Sequence, residues 1–234
     1  MKQLSHHIIL ILFSFLPLLP AMAQEDAEYT MEIGGGLGGL FGVNDANTKL
    51  FGQPGFQGSG TYRYVINRRS AVKLSLGYAS LSGNTKNVND FMPAVVGQAG
   101  SDRLQYEFST SLIDLSALYE LHFLPYGYYK GYQGLPRLVP YLQLGLGAVY
   151  SSKGKAFAPT IPLGFGLKYR VAPRLNLGFE WRMHFTTSDK LEGLEAPHGI
   201  KSQMFKNKDH YNVALFTLTY SFSEKCPTCN KDEW

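Results

Sequence analysis

Apolar and polar residues alternate one by one along much of this chain. In the clearest segment, residues 175–185, every odd-numbered position is large and apolar. The positions between them are Asn176, Gly178, Glu180, Arg182 and His184. A β-strand places two such sets on opposite faces, whereas a helix would mix them. The segment therefore predicts a strand with one apolar face and one polar face.

The same alternation recurs and predicts eight strands in all. They are centred on residues 31–41, 61–66, 72–79, 112–123, 141–150, 161–170, 175–185 and 215–222. Most are close to the length that a tilted membrane strand needs, roughly 9–11 residues. Strands of soluble sheets usually have about five or six residues. The pattern predicts an all-β fold: an eight-stranded, antiparallel, up-and-down transmembrane barrel.

The connections between the predicted strands differ in length. Tight turns are predicted at residues 67–69 and 171–174, and longer polar loops at 42–54, 83–103, 152–159 and 188–209. Bacterial barrels have short periplasmic turns and long external loops, so an even strand number places both ends of the barrel in the periplasm. The connection from Leu124 to Leu138 falls on the periplasmic side yet is long. We expect it to form a structured periplasmic loop.

The N-terminus has the pattern of a secretory signal peptide. Lys2 precedes an apolar run at residues 8–19, and Ala21 and Ala23 are the small residues of a cleavage site. This run is too short for a membrane helix, which needs about 20 residues. The expected organisation is a signal peptide at 1–23, a barrel at 24–222 and a periplasmic tail at 223–234.

Composition and charge agree with an exported β protein. The chain has 25 Gly, 15 Tyr and 15 Phe, and only 17% charged residues, which favours β architecture. The net charge of +4 comes without a basic cluster in the sequence, so nucleic acid is not an expected partner. No small-molecule substrate is evident.

The charges on the polar faces of the strands nearly balance, which indicates that these faces line the barrel interior. An unpaired buried ion is very costly, so charges inside a narrow barrel must compensate one another. Eight strands leave room only for side chains, so we expect a plugged interior rather than a pore. The predicted interior charge network comprises Glu32, Arg63, Lys73, Asp114, Glu120, His122, Lys168, Glu180, Arg182 and His184. The two histidines, His122 and His184, are expected to lie close to Glu120 and Glu180 along their strands.

Aromatic residues lie toward the ends of the apolar faces, as in the two girdles that flank a lipid bilayer. One predicted girdle holds Tyr62, Tyr64, Phe123, Tyr169, Tyr220 and Phe222, and the other holds Phe41, Tyr78, Tyr150 and Phe185. With the signal peptide, they predict the cell outer membrane as the location and its lipid as a partner.

Several motifs resemble a family of small outer-membrane barrels from Bacteroidetes that includes PorG, a component of the type IX secretion apparatus. They are the glycine-rich residues 33–36, Pro140-Tyr141, residues 161–168 and 185–191, and the end of the last strand at 220–222 before a cysteine-bearing tail. The resemblance implies an accessory, non-enzymatic role and periplasmic secretion-ring proteins as partners.

Cys226 and Cys229 are the only cysteines. In an exported protein they suggest a local disulfide, a redox pair or a bridge to a partner. A zinc site needs about four ligands, and this tail offers only its two cysteines, so we expect no metal. Nothing in the sequence indicates a cofactor.

Two alternative functions stay open. Small barrel enzymes that deacylate lipid exist, but Ser116 and His122 are six residues apart on one strand face, about 20 Å at 3.3 Å per residue. Only neighbours on other strands would complete a catalytic set. A surface-exposed adhesin or binding barrel is the second alternative, because one external loop contains the apolar residues Phe91, Met92, Val95 and Val96.

Overall fold

Eight antiparallel strands follow one another in chain order around a closed barrel, which confirms the predicted fold class. The computed structural model describes residues 29–43, 54–84, 107–127, 135–188 and 210–225. The predicted signal peptide, the two cysteines and the loop containing Phe91 lie outside these residues. Among the residues described, no helix is long and apolar enough to cross a membrane. The strands are β1 (Tyr29–Val43), β2 (Pro54–Asn67), β3 (Ser70–Asn84), β4 (Glu107–His122), β5 (Leu138–Ser151), β6 (Ala156–Ala172), β7 (Leu175–Thr186) and β8 (His210–Glu224).

The two ends of the barrel differ in their connections. One end, here called the turn end, carries Tyr29, Glu224, the β2–β3 and β6–β7 turns and the β4–β5 connection. The other, the loop end, carries the β1–β2, β3–β4, β5–β6 and β7–β8 connections. Both described ends of the chain therefore lie at the same end of the barrel.

The pairing register fixes the tilt and width of the barrel. Following paired residues from Leu37 in one direction leads to Phe157 on β6, and in the other direction to Leu167. The ten-residue offset between these two positions is the shear of the barrel. With eight strands it corresponds to a tilt of about 40° and a radius of about 8 Å. Such an interior is filled by side chains.

Successive residues of each strand point alternately inward and outward, as the hydrophobic pattern predicts. On β3, Lys73 is fully buried, whereas Leu74 is 49% exposed. On β6, Lys168 is buried and Leu167 is exposed. The outward surface is an apolar belt of this kind around the whole barrel, too large to face water in a soluble protein.

The predicted aromatic girdles lie on the outer face toward the two ends. Tyr64, Tyr169 and Tyr220 are exposed near the turn end, and Tyr78 and Tyr150 near the loop end. On β3 and β4 the outward positions beyond Tyr78 are serines, and Ser80 pairs with Ser111. The apolar belt therefore ends at the aromatic residues.

The prediction of a long loop at residues 152–159 is wrong. β5 ends at Ser151 and β6 begins at Ala156, so the connection is a four-residue turn. Lys155 closes it in the left-handed conformation, at φ 43°. Pro159, the last residue of the predicted loop, pairs with Ala148 in the strand ladder. The inside–outside alternation continues through Phe157 and Ala158, and burial of the inward residues outweighs the low strand propensity of proline.

Most strands extend further than their patterns predict, β2 and β8 among them. β2 begins at Pro54, so it includes the glycine-rich residues 55–60, which have low intrinsic strand propensity. Pairing with β1 on one side and β3 on the other holds this segment extended. β8 continues to Glu224, two residues into the predicted tail.

Candidate functional site

Six charged side chains meet inside the turn half of the barrel. This ionic cluster comprises Glu32, Arg63, Lys73, Glu120, Lys168 and Glu180, contributed by six different strands. Arg63 lies at its centre and forms an ion pair with Glu32. Its Nε is 2.7 Å from Glu120 Oε2, and its Nη2 is 3.7 Å from Glu180 Oε1. One guanidinium thus links three carboxylates from β1, β4 and β7.

The two lysines complete the charge balance of the ionic cluster. Lys73 Nζ is 2.8 Å from Glu120 Oε1 and 2.8 Å from Glu180 Oε1. Lys168 Nζ donates to both carboxylate oxygens of Glu32 at 2.6 and 2.7 Å. Three bases therefore face three acids, all buried, which offsets the cost of removing these charges from water.

Neutral side chains outside the predicted network also bind the ionic cluster. Tyr141 Oη donates to Glu180 Oε1 at 2.8 Å, and Gln143 Oε1 accepts from Lys73 Nζ at 2.8 Å. Tyr141 has room for its ring because Gly166 is opposite it on β6; a Cβ at Gly166 would collide with that ring. The sequence did indicate that Tyr141 and Gln143 point inward, because both occupy the polar positions of the alternating pattern of β5.

A second polar group surrounds Asp114 in the loop half of the interior. Ser116 Oγ donates to Asp114 Oδ1 at 2.9 Å, and Tyr211 Oη donates to Asp114 Oδ2 at 2.9 Å. His184 Nδ1 lies 3.5 Å from Asp114 Oδ2, and its ring stacks on Tyr211. The expectation that His184 lies close to Glu180 is therefore corrected. His184 is four residues from Glu180, with the inward Arg182 between them, so the two are about 13 Å apart along the strand. Glu180 contacts Lys73 instead.

All ten residues of the predicted network are buried, but they form two groups rather than one. His122 lies beside the ionic cluster, with its Nε2 3.9 Å from Glu120 Oε2. Arg182 lies beside it, with Nε 3.9 Å from Glu180 Oε2. Asp114 and His184 form the separate group on the loop side.

Apolar residues fill the loop end of the interior above Asp114. Leu40, Leu112, Val149, Val213 and Leu215 belong to one buried cluster. This cluster was missed from the sequence, where the inward positions were expected to be polar. The sequence did indicate it, because these apolar residues alternate with outward residues just as the charged inward residues do. The loop end of the lumen is therefore closed by side-chain packing.

The β4–β5 connection closes the turn end of the lumen through Tyr126. The Tyr126 amide donates to Arg68 O at 2.8 Å, and its hydroxyl donates to Asn176 Oδ1. Its ring stacks on His122, and Lys168 Nζ lies 4.2 Å from the ring centroid. Burial raises the pKa of Tyr126 above its ordinary value. The first residues of this connection are thus structured, and Tyr126 covers the ionic cluster.

Ser116, Asp114 and His184 are not arranged as a nucleophile, acid and base. In a catalytic triad the histidine lies between the nucleophile and the acid. Here Asp114 lies between Ser116 and His184, so Ser116 donates to the acid. Ser116 is also fully buried, so a substrate cannot reach it. Within the described residues no group of three or more His, Cys, Asp or Glu side chains is arranged to hold a metal ion.

An exposed polar contact at the turn end joins the β6–β7 turn to β1 and β8. Arg174, in the β6–β7 turn, forms an ion pair with Glu224, and its guanidinium lies 3.4 Å from the hydroxyls of Tyr29 and Tyr220. Hydrogen bonds to Tyr220, Tyr29 and Glu224 raise the pKa of Arg174. This guanidinium therefore holds β1, β7 and β8 together at the rim.

Comparison with known proteins gives a family. The sequence model of the family described as "Outer membrane protein beta-barrel domain" matches residues 9–222. No curated protein matches the chain.

Solved structures with a similar chain path have low sequence identity to this one. Neisserial surface protein A is 14% identical with a TM-score of 0.46, over 82% of this chain and 97% of that one. OprG from Pseudomonas aeruginosa is 12% identical with a TM-score of 0.46, over 85% and 98%. The outer membrane enzyme PagL is 11% identical with a TM-score of 0.38, over 80% and 97%. At these values the likeness concerns the fold alone.

Proposed function

Since the chain belongs to the outer membrane protein β-barrel domain family, we propose that it is a non-enzymatic outer-membrane barrel that serves as an accessory component of an envelope or secretion assembly. The observation that carries this proposal is the filled lumen. The ionic cluster, the Asp114 group and the apolar cluster occupy the interior from one end to the other. A barrel without a passage acts through its two rims and its outer face.

We place the assembly contact at the turn end, in the periplasm. The β4–β5 connection supports this choice, because it is longer than a hairpin needs and is fastened to the barrel at both of its described ends. Tyr126 binds Arg68 and Asn176, and Arg170 Nη2 donates to Leu135 O at 3.1 Å. The described ends of this connection, held in this way, offer a partner a fixed surface, which lowers the entropic cost of binding.

The finer proposal is a PorG-like role in type IX secretion, with periplasmic ring proteins as partners. It rests on the sequence resemblance of residues 33–36, 161–168 and 185–191 to that family. The cysteine tail, which follows β8 at the same end as the β4–β5 connection, is the proposed site of a disulfide or of a bridge to the partner.

Affinity purification from detergent-solubilised outer membranes tests the assembly role. We expect a tagged barrel to recover periplasmic ring proteins, and the double variant Cys226→Ser, Cys229→Ser to recover less in non-reducing conditions. A matched control is Lys153→Gln, Lys155→Gln in the β5–β6 turn at the opposite end, which should recover as much as the native chain. Recovery of the barrel alone would contradict the accessory role.

Cysteine labelling in whole cells tests the orientation separately. On the background without native cysteines, a cysteine introduced at Lys153 should react with a membrane-impermeant maleimide in intact cells. A cysteine introduced at Arg68 should react only after the outer membrane is opened. The reverse result would place the turn end outside and overturn the periplasmic assignment.

An adhesin or binding barrel is the second candidate function. Its supporting observation is the length of two loop-end connections, from Asn84 to Glu107 and from Thr186 to His210, because loops on a rigid scaffold commonly carry binding sites. Deletion of residues 88–98 should abolish adhesion if this candidate is right, and should leave ring-protein recovery unchanged if the accessory role is right.

A further inference from the structure

Arginine is distributed unevenly over this barrel. The chain has eight arginines. Two are inside the barrel and one, Arg103, lies in the β3–β4 connection. Arg170 lies at the turn end but is directed inward, and its Nη2 donates to Leu135 O at 3.1 Å. The remaining four are also at the turn end, where they form what is here called the arginine collar: Arg68, Arg69, Arg137 and Arg174. They come from three separate stretches of the sequence, at residues 68–69, 137 and 174, which is why no basic cluster is visible there.

The arginine collar extends around much of the circumference. Arg68 and Arg69 form the β2–β3 turn, Arg137 precedes β5, and Arg174 is in the β6–β7 turn. Lys225 adds a positive charge after β8. Among the described residues at this end, the only acidic side chain outside the lumen is Glu224, which pairs with Arg174. The rim therefore has a net positive charge on several sides.

The arginine collar also lies at a defined depth relative to the apolar belt. Arg174 contacts the hydroxyls of Tyr29 and Tyr220. Tyrosines at the edge of an apolar belt lie at the level of the lipid headgroups. The guanidinium group of Arg174 is then at the level of the headgroup phosphates, which a guanidinium binds with two parallel hydrogen bonds.

We propose that the arginine collar is a binding surface for anionic phospholipid, through the headgroup phosphates of the leaflet that surrounds the turn end. The distribution favours a leaflet over an acidic protein. A lipid leaflet meets every side of a barrel, whereas a protein partner covers one side, and the collar spans β2 to β7. The proposed function supplies only the identity of the leaflet, the periplasmic one.

Native mass spectrometry of the purified full chain tests this surface. The protein is placed in neutral maltoside micelles with equal amounts of phosphatidylglycerol and phosphatidylcholine of the same acyl chains. We expect the native chain to retain phosphatidylglycerol preferentially. The variant Arg68→Gln, Arg69→Gln, Arg137→Gln should lower that preference by at least about fivefold, the effect of one basic residue near an anionic surface. Added salt should reduce the preference as well.

Two further variants sharpen the test. Arg68→Lys, Arg69→Lys, Arg137→Lys keeps the charges and removes the two-pronged donor geometry, so its preference should fall between the native and glutamine values. Lys153→Gln, Lys155→Gln removes two positive charges at the loop end and should retain the native preference. Heat-modifiable gel migration shows that each variant is folded, and Arg137→Gln alone serves if the triple variant does not fold.

Equal retention of the two lipids by the native chain would overturn the proposal, as would an equal loss of preference in the loop-end variant. The charge of the collar would then be assigned to an acidic protein partner instead. The lipid assay uses the purified barrel alone, whereas the accessory role is tested by recovery of ring proteins. A negative result in one experiment therefore does not contradict the other proposal.

Discussion

Lys168 Nζ on β6 donates to both carboxylate oxygens of Glu32 on β1, at 2.6 and 2.7 Å. β1 pairs with β2 and β8, so this contact crosses the lumen and joins strands that share no backbone hydrogen bonds. Arg63 and Lys73 connect further strands in the same way. The ionic cluster therefore braces the barrel from inside, in addition to the strand ladder around it.

Replacement of Lys73 by methionine should strongly destabilise the barrel. Lys73 is fully buried and contacts Glu120, Glu180 and Gln143, so its loss leaves an uncompensated buried negative charge. Breaking such a pair lowers the free energy of unfolding by about 3–5 kcal/mol. Urea unfolding in lipid vesicles measures this loss through the shift of the midpoint.

The control for this prediction is Lys153→Met, a lysine in the exposed β5–β6 turn, which should change stability by less than about 0.5 kcal/mol. The double variant Lys73→Met, Glu180→Gln restores the charge balance and should regain part of the loss. Equal midpoint shifts for the two lysine variants would contradict the bracing role.

Two glycines on opposite faces should respond differently to alanine. Gly166 points inward, where a Cβ would collide with the rigid ring of Tyr141; moving this ring also disturbs its bond to Glu180. We expect a loss of about 1–3 kcal/mol for Gly166→Ala. Gly60 points outward, and a Cβ added there would meet no atom within 4 Å, so Gly60→Ala should stay within about 0.5 kcal/mol. Denaturant unfolding distinguishes them, and similar losses would argue against tight packing of Tyr141.

A charge on the apolar belt should be tolerated only near its edge. Leu163 is 47% exposed on the outer face, within the belt of β6. Leu163→Arg should cost about 2–4 kcal/mol if this face meets the hydrocarbon core of a bilayer. Ser82 is an exposed residue of β3 beyond Tyr78, so Ser82→Arg should cost about 0–1 kcal/mol. The yield of heat-modifiable, folded protein in vesicles reports both. Equal yields would count against lipid contact at Leu163.

Tyr126 should make stability depend on pH in the alkaline range. Its pKa is raised by burial, so above about pH 10, the ordinary tyrosine pKa, the unfolded chain releases a proton that the folded chain retains. This contribution to stability is complete below about pH 10 and falls as the pH rises toward the folded pKa. Unfolding midpoints between about pH 8 and 11, which bracket the ordinary value, should fall less steeply for Tyr126→Phe than for the native chain. Parallel curves would show that Tyr126 is not buried over the ionic cluster.

The strands, and the direction in which most of their side chains point, could be predicted from the order of residues along the chain. A period of two has one structural meaning, because consecutive residues of a strand face opposite sides. The alternation therefore predicted that Lys73 and Lys168 are buried and that their neighbours Leu74 and Leu167 are exposed. The charge balance of the polar faces was predictable as well, since a closed interior tolerates no excess charge.

Which inward residues meet one another could be learned only from the folded barrel. Contacts across the lumen depend on the shear of the barrel and on the direction of each long side chain, and neither is encoded in a local pattern. His184 therefore lies against Asp114 rather than Glu180, and Tyr126 closes the turn end from a connection without any alternation. The arginine collar has the same origin, because closure of the barrel gathers at one rim arginines that are as much as 106 residues apart in the chain, from Arg68 to Arg174.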